Sequence, residues 1–301
     1  MNIYNELRKI VKSGGIVTQL IAINLALFLT VSLINVFLFL FGRQDIGEQI
    51  IIYLSVPANL TSLTLRPWTI LTYMFLHESF LHVLFNILWL YWFGIIFLRY
   101  FSTRQLAGLY ILGGLMGAVV YILSFNIFPV FAEYKFVSYA LGASASVIAI
   151  VIATACYVPN YTINLIFIGA VKLKWIALDM LVLDIIGITS SNSGGHIAHI
   201  GGAIMGWLFI VAFKEKIDLT SWTKWFENLF SRQPKPQKPH LNVSYRRTDN
   251  EYDYNRQKRE NQKTVDSILD KISKNGYDCL TKEEKEILFN YSKRKDIYGN
   301  S

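Results

Sequence analysis

The 301-residue chain is 53% hydrophobic and 15% aromatic, with only 17% charged residues, and its mean hydropathy is positive at +0.35; this excludes an ordinary soluble enzyme and a disordered scaffold, and points to a membrane protein. The net charge of +8 is segregated: residues 1–213 hold 10 Lys and Arg against 7 Asp and Glu, and residues 214–301 hold 19 against 14. An apolar body therefore carries a polar tail whose mixed charge argues against nucleic acid as a partner.

In chain order, apolar windows of about 20 residues mark six spans near 17–41, 80–98, 106–128, 137–158, 175–188 and 196–213. The first is too long for the core of a signal peptide and lacks a small-residue cleavage site, which predicts a retained anchor behind a short segment, 1–16. Arg8, Lys9 and Lys12 precede span one, Arg99 and Arg104 join spans two and three, and Lys172 and Lys174 join spans four and five. Arg43, Arg66 and Lys135 occupy the other loops. The positive-inside rule then places both termini in the cytoplasm of a multi-pass protein, expected in a bacterial cytoplasmic membrane.

Under this topology spans two, four and six all run from outside to inside. His82 and Asn86, Ser144, and His199 each fall within the first two turns of one of them, roughly 5 to 10 Å below the outer surface. Polar groups at such depth are costly without partners, so they are functional candidates. A serine hydroxyl becomes a nucleophile when a neutral histidine within reach takes its proton, and Ser144 with His199 fits that pair. The Asn86 amide, a His82 ring N–H and the Ser144 backbone N–H are suited to hold a developing oxyanion. No carboxylate occupies matching depth on these three spans, which predicts a dyad rather than a triad. Gly142 thins span four beside the serine, and Gly202 and Gly206 form a Gly-x-x-x-Gly face on span six for close backbone approach.

Three linked motifs carry a resemblance: His77-Glu-Ser-Phe-Leu-His82-Val-Leu-Phe-Asn86, Gly142-Ala143-Ser144, and Ala198-His199-Ile200-Gly201-Gly202 with Gly206. In these the sequence resembles the rhomboid family of intramembrane serine proteases over residues 17–213. The resemblance implies an all-α membrane protein with a six-helix bundle and no cofactor or metal. It implies cleavage of the transmembrane segments of membrane-protein substrates near their outer end, with water reaching the site from outside and substrate entering sideways from the bilayer. Ser144 would be nucleophile, His199 base, and His82 and Asn86 the oxyanion site. The sequence departs from the family pattern at Ala145, where glycine is usual, at Ile148, where an aromatic often stacks on the base, and at Trp68-Thr69 after Arg66-Pro67, where a Trp-Arg pair is typical. The alternative is a non-catalytic member of the same fold, a membrane chaperone or transport-related protein.

Other polar residues have simpler explanations. Ser146 is expected to bond back along its helix or to pack, His77 to pack or cap its loop, and His196 to anchor the loop before span six. His77-Glu78 does not begin a zincin helix, because the second histidine, His82, stands five residues on rather than four. Asp179 and Asp184 in span five are expected to face the bundle and bond to polar neighbours, or to lie near the cytoplasmic end. Cys156 and Cys279 suggest no disulfide framework.

Residues 214–263 read as a cytoplasmic, basic, polar linker able to touch anionic lipid. Residues 264–301 read as a small helical hairpin: Val265, Ile268, Leu269 and Ile272 recur at helical spacing, Asn275-Gly276 ends one helix, and Thr281 with Glu284 opens another. A protein partner or regulation at the membrane is the expected use of that hairpin.

Overall fold

The computed structural model describes residues 15–165, 169–224 and 250–298; expectations resting on residues 1–14, with Arg8, Lys9 and Lys12, and on residues 225–249 of the linker lie outside them. The chain divides into two compact units, with the boundary between Arg232 and Gln233.

The first unit opens with α1 (Gly15–Leu40), apolar around its whole circumference. Only Val17, Leu20 and Asn24 are buried in it, so most of its surface is left for lipid. Asn24, which is buried, donates to the Leu20 carbonyl at 2.8 Å and to the Tyr110 hydroxyl at 3.0 Å. The connection that follows is ordered: α2 (Gln44–Leu54), β1 (Val56–Pro57), α3 (Leu60–Leu65), α4 (Thr69–Thr72) and a 3-10 turn at Tyr73–Phe75. Arg66 donates to the Ile52 carbonyl and Trp68 to the Tyr53 carbonyl, so both residues fasten this connection to itself.

Ser79 caps α5 (Phe80–Phe97) by accepting from the His82 N–H, and a reciprocal Ser102–Gln105 capping box opens α6 (Thr103–Ile127). Beyond α6 two 3-10 turns, Pro129–Phe131 and Tyr134–Phe136, lead to β2 (Tyr139–Ala140), which pairs antiparallel with β1, Val56 opposite Ala140 and Pro57 opposite Tyr139. As a result α7 (Ser144–Tyr157) begins at Ser144 rather than near 137. It rises only about 21 Å, but every residue from Ala145 to Ala155 is buried, so it is enclosed by the other helices. The hairpin of β3 (Thr162–Leu165) and β4 (Gly169–Lys172) leads to α8 (Leu173–Gly187), and Asn192 caps α9 (Ser193–Lys214).

Among the described residues α1, α5, α6 and α9 are long and apolar enough to cross a membrane, and α7 and α8 are shorter. Of the six spans expected, the described residues thus show four of spanning length and a shorter apolar α7, while α8, at the place of the fifth, carries Lys174, Asp179 and Asp184. Glycines let α9 lie directly on α7 and α6. A Cβ on Gly202 would stand 2.1 Å from the Ala145 carbonyl oxygen, on Gly206 2.3 Å from that of Ala149, and on Gly201 2.6 Å from that of Met116. Such contacts are between backbones, where dispersion is gained only at close approach. After α9, Asp218 pairs with Arg104 and ties residues 214–224 to the start of α6.

In the second unit α10 (Asn250–Asn275) and α11 (Lys282–Tyr298) flank a 3-10 turn at Tyr277–Cys279. Residues 250–263, read from composition as linker, are helical; the Arg256–Glu260 pair, four residues apart at 3.3 Å, stands on that stretch. Local i, i+4 pairing supports a helix without aliphatic residues, which a composition argument overlooks. Val265, Ile268 and Leu280 are buried, and Lys271 reaches Glu284 at 2.8 Å.

Candidate functional site

The start of α7 delivers Ser144. Gly142 just before it has φ +132°, a conformation that L side chains rarely adopt, and its N–H is fixed on the Tyr73 carbonyl at 2.9 Å. A Cβ on Gly142 would stand 3.0 Å from the His82 ring and 3.5 Å from the Ser144 hydroxyl, so the glycine is what lets the three approach. Ser144 is the first residue of the helix. Its backbone N–H and those just after it have no carbonyl four residues back to bond to within the helix, and the helix dipole adds positive potential at that point.

His199, in the second turn of α9, meets this serine: its Nε2 lies 2.6 Å from Ser144 Oγ. Its other nitrogen, Nδ1, lies 2.8 Å from Asp184 Oδ1. The expectation that no carboxylate accompanies the pair is therefore corrected: Ser144, His199 and Asp184 form one chain of hydrogen-bonded side chains. Asp184 is buried on α8, which runs opposite to α5, α7 and α9. Its position was still recoverable: the last turn of an antiparallel neighbour lies level with the first turns of the other three. Asp184 does face the bundle and bond to polar neighbours, whereas Asp179 is exposed.

His196 joins the same carboxylate. Its Nδ1 lies 2.9 Å from Asp184 Oδ1, and a Cβ on Gly187 would meet its ring at 2.5 Å, so α8 is bare where that ring sits. The ligand atoms of Asp184, His196 and His199 all lie within 4.8 Å of one another, a set able to hold a metal ion.

Ser144, His199, Asp184, His82 and Asn86 border one open cavity of about 640 Å³, whose walls include parts of α5, α7, α8 and α9. The Asn86 amide donates to the His82 carbonyl at 2.9 Å. Ile148 forms part of the wall. Ala145 does not narrow it, because its methyl is buried and turned to α6, 2.6 Å from where a Cβ of Gly117 would be. Ser146 makes no bond back along its helix; it is fully buried against Gly114, its hydroxyl without a partner. His77 lies just before α5, its ring edge-on to that of His82 with centroids 5.2 Å apart. Neither of its nitrogens has a hydrogen-bond partner. Burial, with the nearby His82 ring, lowers its pKa to about 4, the Phe75 backbone offsetting a little of the drop.

A family model described as Rhomboid domain matches residues 64–216, half of the chain and all of the site. A second, described as a family of unknown function (DUF6576), matches residues 249–294. Over 147 residues the chain is 31% identical to "RHOMBOID-like protein 12, mitochondrial" of Arabidopsis thaliana. That match covers 46% of this chain and 44% of the relative, so the chain spans less than half the length of that protein.

Proposed function

Because the chain belongs to the rhomboid family and is an integral membrane protein, we propose that it is an intramembrane serine endopeptidase that cuts transmembrane segments of other membrane proteins near their outer end. The observation that carries this reading is the 2.6 Å approach of His199 Nε2 to Ser144 Oγ at the edge of an open cavity.

The Asp184 carboxylate can only accept, so His199 keeps its proton on Nδ1 and offers a lone pair at Nε2. As Ser144 Oγ attacks the scissile carbonyl, that nitrogen takes the hydroxyl proton, and Asp184 stabilises the imidazolium formed. The negative charge then develops on the carbonyl oxygen, beside the free N–H groups at the start of α7 and the His82 and Asn86 side chains. His199 next passes its proton to the leaving amine, and water releases the acyl group by the same steps. Cavity walls on both α5 and α8 suit a substrate helix arriving sideways from the bilayer. The bias of Arg and Lys along the chain favours both termini in the cytoplasm.

Purified protein incubated with a model transmembrane substrate is expected to give a discrete product and to be labelled by a fluorophosphonate probe. Both should vanish in Ser144→Ala and in His199→Ala. Cleavage retained by Ser144→Ala would overturn the mechanism, and a folded wild-type protein that neither cleaves nor labels would favour a non-catalytic, client-binding member of the family.

A further inference from the structure

The proposed reaction needs one imidazole on Asp184, and the protein supplies two. His196 and His199 direct their Nδ1 atoms at the same oxygen, at 2.9 and 2.8 Å, and Gly187 leaves open the space the additional ring fills. Two imidazole nitrogens and one carboxylate oxygen are ligands that zinc takes at about 2.0 to 2.2 Å, and three protein ligands leave its fourth tetrahedral position for water. Imidazole also suits copper and nickel, whereas a magnesium or calcium site calls for more oxygens. The two rings are about a quarter exposed, at 26% and 21%, while the Asp184 side chain is 9% exposed. Asp184 and His199 border the open cavity, which gives a hydrated ion a way in.

We propose that Asp184, His196 and His199 form a binding site for a divalent transition-metal cation of the zinc type, and that occupying it silences Ser144. The second half rests on the hydrolase reading, and the first does not. Without metal, each Nδ1 carries the proton it donates to Asp184. Coordination uses the Nδ1 lone pair, so in each neutral ring that proton moves by way of water to Nε2, with none gained or lost. His199 Nε2–H then faces Ser144 as a donor and cannot accept its proton. The hydroxyl stays un-ionised and unreactive.

The test uses untagged full-length protein in detergent. Co²⁺, a coloured substitute for Zn²⁺, is expected to give the visible absorption of a four-coordinate site, undiminished in Ser144→Ala and displaced by Zn²⁺. Zn²⁺ should block fluorophosphonate labelling of the wild type, reversibly on addition of a chelator. His196→Gln, compared with its own metal-free labelling rate, should lose sensitivity to Zn²⁺ by about tenfold or more. Gly187→Ala keeps all three ligands but displaces the His196 ring, and it should behave alike; it carries the test if His196→Gln does not fold. Absence of the Co²⁺ signal, or the same signal and the same Zn²⁺ sensitivity in these variants, would overturn the site. If the wild type is never labelled, the hydrolase reading fails, while the Co²⁺ spectra still decide whether the metal site exists.

Discussion

Asp184 Oδ1 lies 2.8 Å from His199 Nδ1, and this contact selects the tautomer of the histidine that faces Ser144. An amide at 184 can present either a donor or an acceptor to that nitrogen. Asp184→Asn is therefore expected to lower kcat by about 100-fold or more with little change in KM, since the same change in the serine-protease triad costs about 10⁴ through the wrong tautomer. Steady-state cleavage of a model transmembrane substrate measures it. An Asp184→Asn enzyme as fast as wild type would reduce the carboxylate to a packing role.

Gly142 holds a positive φ beside both His82 and Ser144. Gly142→Ala forces a Cβ into that conformation, at a cost of about 1 to 3 kcal/mol, and pushes on the His82 ring. The variant should fold but react with a fluorophosphonate several times more slowly. Labelling at the wild-type rate would mean that the His82 position does not matter to the serine.

The glycines at helix contacts should differ in a predictable order. Gly202→Ala and Gly206→Ala set a methyl against backbone oxygens of α7, which cannot step aside. Each should destabilise the protein by about 3 kcal/mol, the upper range for overpacking. At Gly114 the nearest atoms are the flexible end of Met74 and the Ser146 hydroxyl, so Gly114→Ala should cost less. Thermal denaturation of the three variants in one detergent gives the order, and Gly114→Ala as the worst of them would contradict this account of the packing.

His77 should make stability depend on pH. Its folded pKa is lowered from 6.5 to about 4, so between those values the unfolded chain binds the extra proton. Its contribution is complete above about pH 6.5 and is lost as the pH falls towards 4, by an amount on the order of 3 kcal/mol. His77→Phe should show a shallower fall in melting temperature over that window. Parallel pH curves for the two proteins would remove His77 as the cause.

The parts of this architecture that were legible in the sequence are those governed by local pattern. α5, α6 and α9 lie within a few residues of the apolar windows that mark them, because hydropathy is summed over adjacent residues. The start of α7 was not legible: residues 137–143 are apolar enough to read as membrane helix, yet β1–β2 pairing and the φ of Gly142 hold the chain out of an α-helix until Ser144. Residues 250–263 were missed for the opposite reason, since their helix rests on polar side chains and not on an apolar stripe.

From the sequence alone came an apolar body with a polar tail, and a layer of polar residues at the outer ends of particular helices. Depth along a helix follows from counting residues, so Ser144, His199, His82 and Asn86 could be assigned to one layer without coordinates. Which atoms meet inside that layer depends on how each helix is rotated and how closely glycines let it approach its neighbours. Only the tertiary structure decided that Asp184 backs His199, that His196 shares the same oxygen, and that the serine sits at the positive end of its helix.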